Sequence, residues 1–157
     1  MLLTQRKPGH QALRRGRTSS TGGIYLITAT TFNRRRIFDE WEPASFVAAR
    51  LDAPMTWAPH ARVLCWVLMP DHFHCLIELA HRGRLSTAVG RAKGRIAREF
   101  RRRFLSADRV WADAFHDRAL RKDEDLLGVA RYIVLNPVRA GIVARVRDYP
   151  FWNSVWV

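Results

Sequence analysis

Acidic residues are scarce in this chain: 14 aspartates and glutamates stand against 27 lysines and arginines, leaving a net charge of +13 across 157 residues. That imbalance favours a polyanionic partner such as nucleic acid, although a solvated basic face also produces it. Long apolar runs are missing. The longest, around residues 63–69, is far too short to cross a bilayer, and the amino-terminal sequence has no signal-peptide core. Both absences predict a soluble, intracellular protein with no membrane partner. Cysteine is nearly absent, and Cys65 and Cys75 make no C-x-x-C pair. A disulfide framework or cysteine zinc site is therefore disfavoured, and both thiols read as reduced core residues. There is no internal repeat. Only residues 1–22 are low in complexity; they carry Arg6, Lys7, Arg14, Arg15 and Arg17 without an acid and read as a disordered basic arm.

What remains, residues 23–157, has the length and the 48% hydrophobic content of one domain. Residues 24–32 are β-branched and aromatic and read as a first strand. Residues 39–51 place Trp41, Phe46, Val47 and Leu51 near helical spacing, and Ala53-Pro54 ends them. Residues 62–69 and 72–79 read as a hairpin around the turn Pro70-Asp71. Residues 85–104 form the clearest helix, with Leu85, Val89, Ala92, Ile96, Phe100 and Phe104 as its apolar stripe. A fourth strand is expected over 111–118. A last helix opens at Lys122, with acids in its first turn, and runs to Asn136 before Pro137. The order predicts an α+β, ferredoxin-like split β-α-β fold: a four-stranded antiparallel sheet with two helices on one face and the last helix docked on the other.

Two features carry chemistry. In His72-Phe73-His74 the histidines fall at strand spacing, on the face opposite the apolar set Phe73, Cys75, Ile77 and Leu79. Two imidazoles side by side on a free strand face suit a metal; the plainer reading is a pair of half-exposed histidines. The helix over 85–104 carries Arg91, Lys93, Arg95, Arg98, Arg101, Arg102 and Arg103 against one acid, Glu99. A phosphate backbone along it would relieve their repulsion; a solvated face is the alternative. Gly90 and Gly94 weaken this helix intrinsically, which points to a close approach of backbone or ligand.

Met69-Pro-Asp-His-Phe-His on a strand, then Arg131-Tyr-Ile-Val-Leu-Asn-Pro-Val-Arg-Ala-Gly-Ile-Val143, resembles the REP-associated tyrosine transposases of the single-tyrosine HUH superfamily. Residues 115–125 and 148–154 also look like that family's segments, so the likeness covers nearly everything from Gly23 to Trp156. One departure is Asp71, where the family usually has asparagine.

The resemblance implies that Tyr132 is a nucleophile that forms a 5′-phosphotyrosine with single-stranded DNA beside a hairpin and then returns the strand to a new 3′-hydroxyl. Read alone, Tyr132 is equally a packing aromatic. A phenol of pKa about 10 needs a cation or metal to attack at neutral pH. His72 and His74 match the family's metal ligands, and Asn136, one helical turn past Tyr132, matches the polar third ligand for Mg²⁺ or Mn²⁺. On its own Asn136 reads as a cap or turn residue. Arg14, Arg15, Arg17, Arg91, Lys93, Arg95, Arg98, Arg102 and Lys122 are the expected DNA-backbone contacts. The short link 119–122 predicts a monomer with its site in cis, acting in the cytoplasm at the nucleoid. A non-catalytic single-strand-binding module and a metal-dependent phosphodiesterase are the alternatives.

Overall fold

The computed structural model describes residues 22–156. Arg14, Arg15, Arg17 and the basic arm up to residue 21 lie outside the described residues. The elements are β1 (Ile24–Thr30), α1 (Trp41–Asp52), α2 (Pro54–Trp57), β2 (Ala61–Met69), β3 (His72–Leu79), α3 (Leu85–Phe104), β4 (His116–Ala119), α4 (Leu126–Val134), α5 (Asn136–Arg139) and β5 (Trp152–Ser154). The strands form one antiparallel sheet in the order β4-β1-β3-β2-β5. Its first four strands have the split β-α-β order that the sequence predicts. The fifth corrects that expectation: β5 pairs with β2 from Cys65 to Val67. Three residues are too few to show a period-two pattern, so this strand is not visible in the sequence.

The sheet separates two cores. On one face α1 and α3 bury Val47, Leu51, Val89 and Ile96 against Phe73, Cys75 and Ile77. On the other, α4 buries Ala130 and Ile133 against Leu64, Cys65, Val67, Met69 and Leu76. A register shift between Val63 and Cys65 sets this division in β2, turning Cys65, Val67 and Met69 toward α4. Among the described residues no helix is long and apolar enough to cross a membrane. Both cysteines are free and buried, as their spacing predicts.

Two boundaries differ from the pattern-based expectation. The fourth strand begins at His116 rather than residue 111, because the chain before it bends toward α3. Trp111 keeps only a single bridge to Thr31. The last helix starts at Leu126 rather than Lys122: Asp125 is its N-cap, accepting from the Gly128 amide at 3.0 Å. Glu124 instead pairs with Arg118 at 2.6 Å, ahead of the helix. A Cβ at Gly128 would lie 2.4 Å from the Asp125 carboxylate, so any larger residue there would have to displace the capping side chain. Pro137 has no amide hydrogen to continue α4 and sits at the start of α5.

Candidate active site

His72 and His74 stand on β3, the middle strand. Register places Thr30 and Met69 beside His72, and Thr28 and Val67 beside His74. Alternation sends both imidazoles to the α4 face while Phe73 and Cys75 enter the opposite core. Each ring is held from behind. The Nδ1 of His72 lies 2.6 Å from Asp71 Oδ1, and the Nδ1 of His74 lies 2.7 Å from Thr28 Oγ1. The two Nε2 atoms then meet at 3.2 Å, with the rings edge to face. Behind them Arg34 Nε lies 3.1 Å from the other Asp71 oxygen.

The charges follow from these contacts. Burial alone would raise the Asp71 carboxyl, but the hydrogen bond and charge of His72, with Arg34, outweigh it and hold the group below its ordinary value. Burial, followed by the charges of His72, Arg139 and Arg34, pushes His74 down to about 4. At neutral pH His74 is therefore uncharged, the form that can ligate a metal. The donor set fits a single ion. Nδ1 bonding leaves both Nε2 atoms free to ligate, and bonds of about 2.1 Å at a right angle span about 3 Å between two ligands. Among the described residues no three His, Cys, Asp or Glu side chains converge.

Tyr132 extends from α4 and is 59% exposed, while its neighbours Ala130 and Ile133 fix the helix to the sheet. Arg139 lies over the phenol, its guanidinium carbon 3.6 Å from the ring centroid and its Nη1 donating to the Tyr132 carbonyl at 2.8 Å. The same charge acts on His74. Asn136 sits where α4 meets α5. Its amide nitrogen donates to the Ile133 carbonyl at 3.0 Å and the Tyr132 carbonyl at 3.5 Å, so Oδ1 is the atom that could serve as a ligand. Thr28, Arg34 and Arg139 are functional candidates that sequence reasoning missed. The alternation of β1 carries a signal for Thr28, on one face with Thr30; Arg139 lies inside the family-like segment itself.

The expected DNA contacts divide. Arg91, Arg98 and Arg102 are exposed on α3, and Lys122 is exposed ahead of α4. Arg95 is already engaged, with Glu99 at 3.0 Å and the Met55 carbonyl at 3.0 Å. Lys93 is a correction. It is 8% exposed, and its ammonium donates to the carbonyls of Ala112, Asp113 and Ala114 at 2.7, 3.4 and 3.3 Å. It bonds α3 to the chain before β4 instead of facing a phosphate. All the α3 cations also belong to the helix on the sheet face opposite the histidines. The cysteines are not rival nucleophiles, since burial pushes the Cys65 thiol up to about 12 and Cys75 well above its ordinary value.

Comparison with known proteins agrees with the fold. The sequence profile of one family, described as "Transposase IS200 like", matches residues 20–134. A REP-associated tyrosine transposase of Escherichia coli is 26% identical over 137 residues, 83% of this chain and 75% of that protein. A solved structure of a REP-associated tyrosine transposase bound to a REP hairpin is 25% identical. It superposes with a TM-score of 0.64 over 87% of this chain and 79% of its own. A structure from Deinococcus radiodurans, 16% identical, shares the fold with a TM-score of 0.51, covering 85% of this chain and 95% of its own.

Proposed function

The chain belongs to the IS200-like transposase family, and on that premise we propose that it cuts and rejoins hairpin-flanked single-stranded DNA through Tyr132. The observation that carries the reading is the meeting of two Nε2 atoms at 3.2 Å on the sheet face where α4 docks. His72 and His74, with the Oδ1 of Asn136, would hold one Mg²⁺ or Mn²⁺. Bound there, the ion supplies Lewis-acid polarisation of a phosphate. Tyr132 provides the nucleophile: its Oη bonds to phosphorus as the bond to the 3′ oxygen breaks. The phenol proton leaves, and the released 3′-hydroxyl gains one. A second 3′-hydroxyl reverses these changes on a new partner, conserving the bond without ATP. Arg139, stacked on the phenol and bonded to the Tyr132 carbonyl, holds the ring and its turn of helix in place.

The bound partner is single-stranded DNA carrying a REP-like hairpin, a reading supported by the hairpin complex of the structural relative. Such a protein works in the cytoplasm at the nucleoid. Packing of α4 on its own sheet, where the Cys65 thiol donates to the Ala130 carbonyl at 3.8 Å, supports a monomer that acts in cis. Incubation with end-labelled hairpin DNA and Mn²⁺ tests the reaction. A denaturation-resistant protein–DNA adduct is expected from the wild type and from neither Tyr132→Phe nor His72→Ala. Tight binding without any adduct would make the chain a non-catalytic binding module, and cleavage that survives Tyr132→Phe would make it a water-using phosphodiesterase.

A further inference from the structure

Between α3 and the segment before β4 lies a groove of about 420 Å³, lined by Gly90, Gly94, Ala97, Arg98, Arg101 and Trp111 among others. Small-ligand sites span about 300–1,000 Å³, so one nucleotide-sized group fits. Its floor is bare helix. A Cβ at Gly90 would meet nothing within 4 Å, and one at Gly94 only the tip of Arg98 at 3.3 Å. Neither glycine has a positive φ. Crowding and backbone conformation therefore do not require glycine here, although each costs the helix about 1 kcal/mol relative to alanine. The remaining use is close approach of a ligand to the backbone.

The walls fit an anion joined to a flat polar group. Arg98 and Arg101 form no ion pair among the described residues, unlike Arg95 with Glu99 and Arg109 with Asp113. Opposite them Trp111 is 6% exposed, and its indole Nε1 is buried without an acceptor. An orphan donor of that kind costs about 1–3 kcal/mol, and it belongs to a ring that lines the groove and packs on Phe38 and Phe73. The bonds from Lys93 to Ala112, Asp113 and Ala114 hold this wall against α3, so the groove is built into the fold.

We propose that the groove is a binding slot for one nucleotide of a single strand, its base against the bare α3 backbone and its phosphate between Arg98 and Arg101. The slot rests on the function proposed above and adds a contact on the other sheet face. Trp111 bridges Thr31, and the adjacent Thr30 pairs with His72. The Trp111 backbone is thus two strand spacings, roughly 10 Å, from that of His72, with the slot on the opposite sheet face, so a single strand would have to wrap the β4 edge to reach both.

The test uses the full chain carrying Tyr132→Phe, so that nothing is cleaved, with a short fluorescein-labelled oligothymidylate followed by anisotropy across a salt series. Adding Gly90→Leu fills the floor without changing charge and without displacing Arg98, whose tip lies against position 94. It is expected to weaken binding about tenfold, equivalent to about 1.4 kcal/mol, with an unchanged salt slope. Arg98→Gln with Arg101→Gln is expected to weaken binding and flatten the slope by about 0.7, the share of one phosphate on a single strand. Gly90→Ala guards against a folding artefact: it should raise Tm through helix propensity yet weaken DNA binding, whereas a structural glycine would move both together. Parent-like affinity in the folded leucine variant, or a parent-like slope in the glutamine pair, overturns the slot. Failure of the Tyr132→Phe parent to bind the strand overturns the functional reading itself.

Discussion

The guanidinium of Arg139 covers the face of the Tyr132 ring at 3.6 Å and also bonds the carbonyl of the same residue at 2.8 Å. One side chain thus fixes both the phenol and the turn of helix that carries it. A cation over an aromatic face contributes about 0.5–2 kcal/mol, depending on desolvation. Arg139→Gln should therefore slow adduct formation about tenfold in single-turnover assays while changing oligonucleotide affinity little. Arg139→Lys should recover part of the rate, since it restores charge without the planar stack. An unchanged rate in the glutamine variant would leave Arg139 a helix-end contact only.

Asp71 Oδ1 lies 2.6 Å from the Nδ1 of His72 and so holds that ring from behind. Outer partners of this kind contribute about 10–100-fold to metal affinity. Asp71→Asn keeps an amide oxygen at the same reach, so it should retain Mn²⁺-dependent cleavage. Asp71→Ala should raise the Mn²⁺ concentration needed for half-maximal adduct by that 10–100-fold factor and melt within a few degrees of wild type. Equal Mn²⁺ requirements in both variants would remove Asp71 from the site.

The burial that keeps His74 neutral makes stability depend on pH. Its pKa is about 4 when folded, against an ordinary value of 6.5, so between those values the unfolded chain binds the extra proton. The contribution is complete above about pH 6.5, declines as pH falls toward 4 and does not change further below it. At 1.36 kcal/mol per unit the full difference is about 3 kcal/mol. Urea titrations of metal-free protein in chelator, at pH 7 and pH 4.5, should show most of that loss in wild type and much less in His74→Gln.

Where one periodicity dominates, sequence and structure coincide. β3 and α3 have the bounds that the alternation of Phe73, Cys75, Ile77 and Leu79 and the stripe from Leu85 to Phe104 predict. The histidine pair is legible for the same reason, because period two alone separates His72 and His74 from the Phe73 side. What stays hidden depends on contacts distant in sequence. β5 exists only as the partner of Cys65–Val67, and the start of α4 is set by Asp125 capping after Glu124 has turned to Arg118. The faces of α3 mislead most. Lys93 counts as a helix cation in the sequence, but its stem is long enough to reach three carbonyls across the groove.

Lys93 should accordingly behave as a structural residue. Lys93→Met keeps most of the stem but strands the carbonyls of Ala112, Asp113 and Ala114, and hydrogen bonds to a buried charge contribute about 1.5–3 kcal/mol. Chemical denaturation should show a loss of roughly that size. The salt slope of DNA binding should remain wild type, because no phosphate contact has been removed. A flattened slope with unchanged stability would return Lys93 to the DNA-binding set.

Ala130 and Ile133 hold α4 on the sheet that carries the histidines of the same chain, alongside Cys65, Val67 and Leu76. The link from β4 is short, Leu120 to Asp125, and part of it is tied down where Glu124 accepts from the Arg121 amide at 3.2 Å. A helix exchanged between subunits would re-form that packing on the partner's sheet but would have to break this tether. Mixing Tyr132→Phe protein with His72→Ala protein should therefore give no adduct at any ratio, although each variant binds hairpin DNA. Light scattering should report one chain per particle. Restored cleavage in the mixture would show that each site takes its tyrosine from one chain and its histidines from another, and would overturn the cis arrangement.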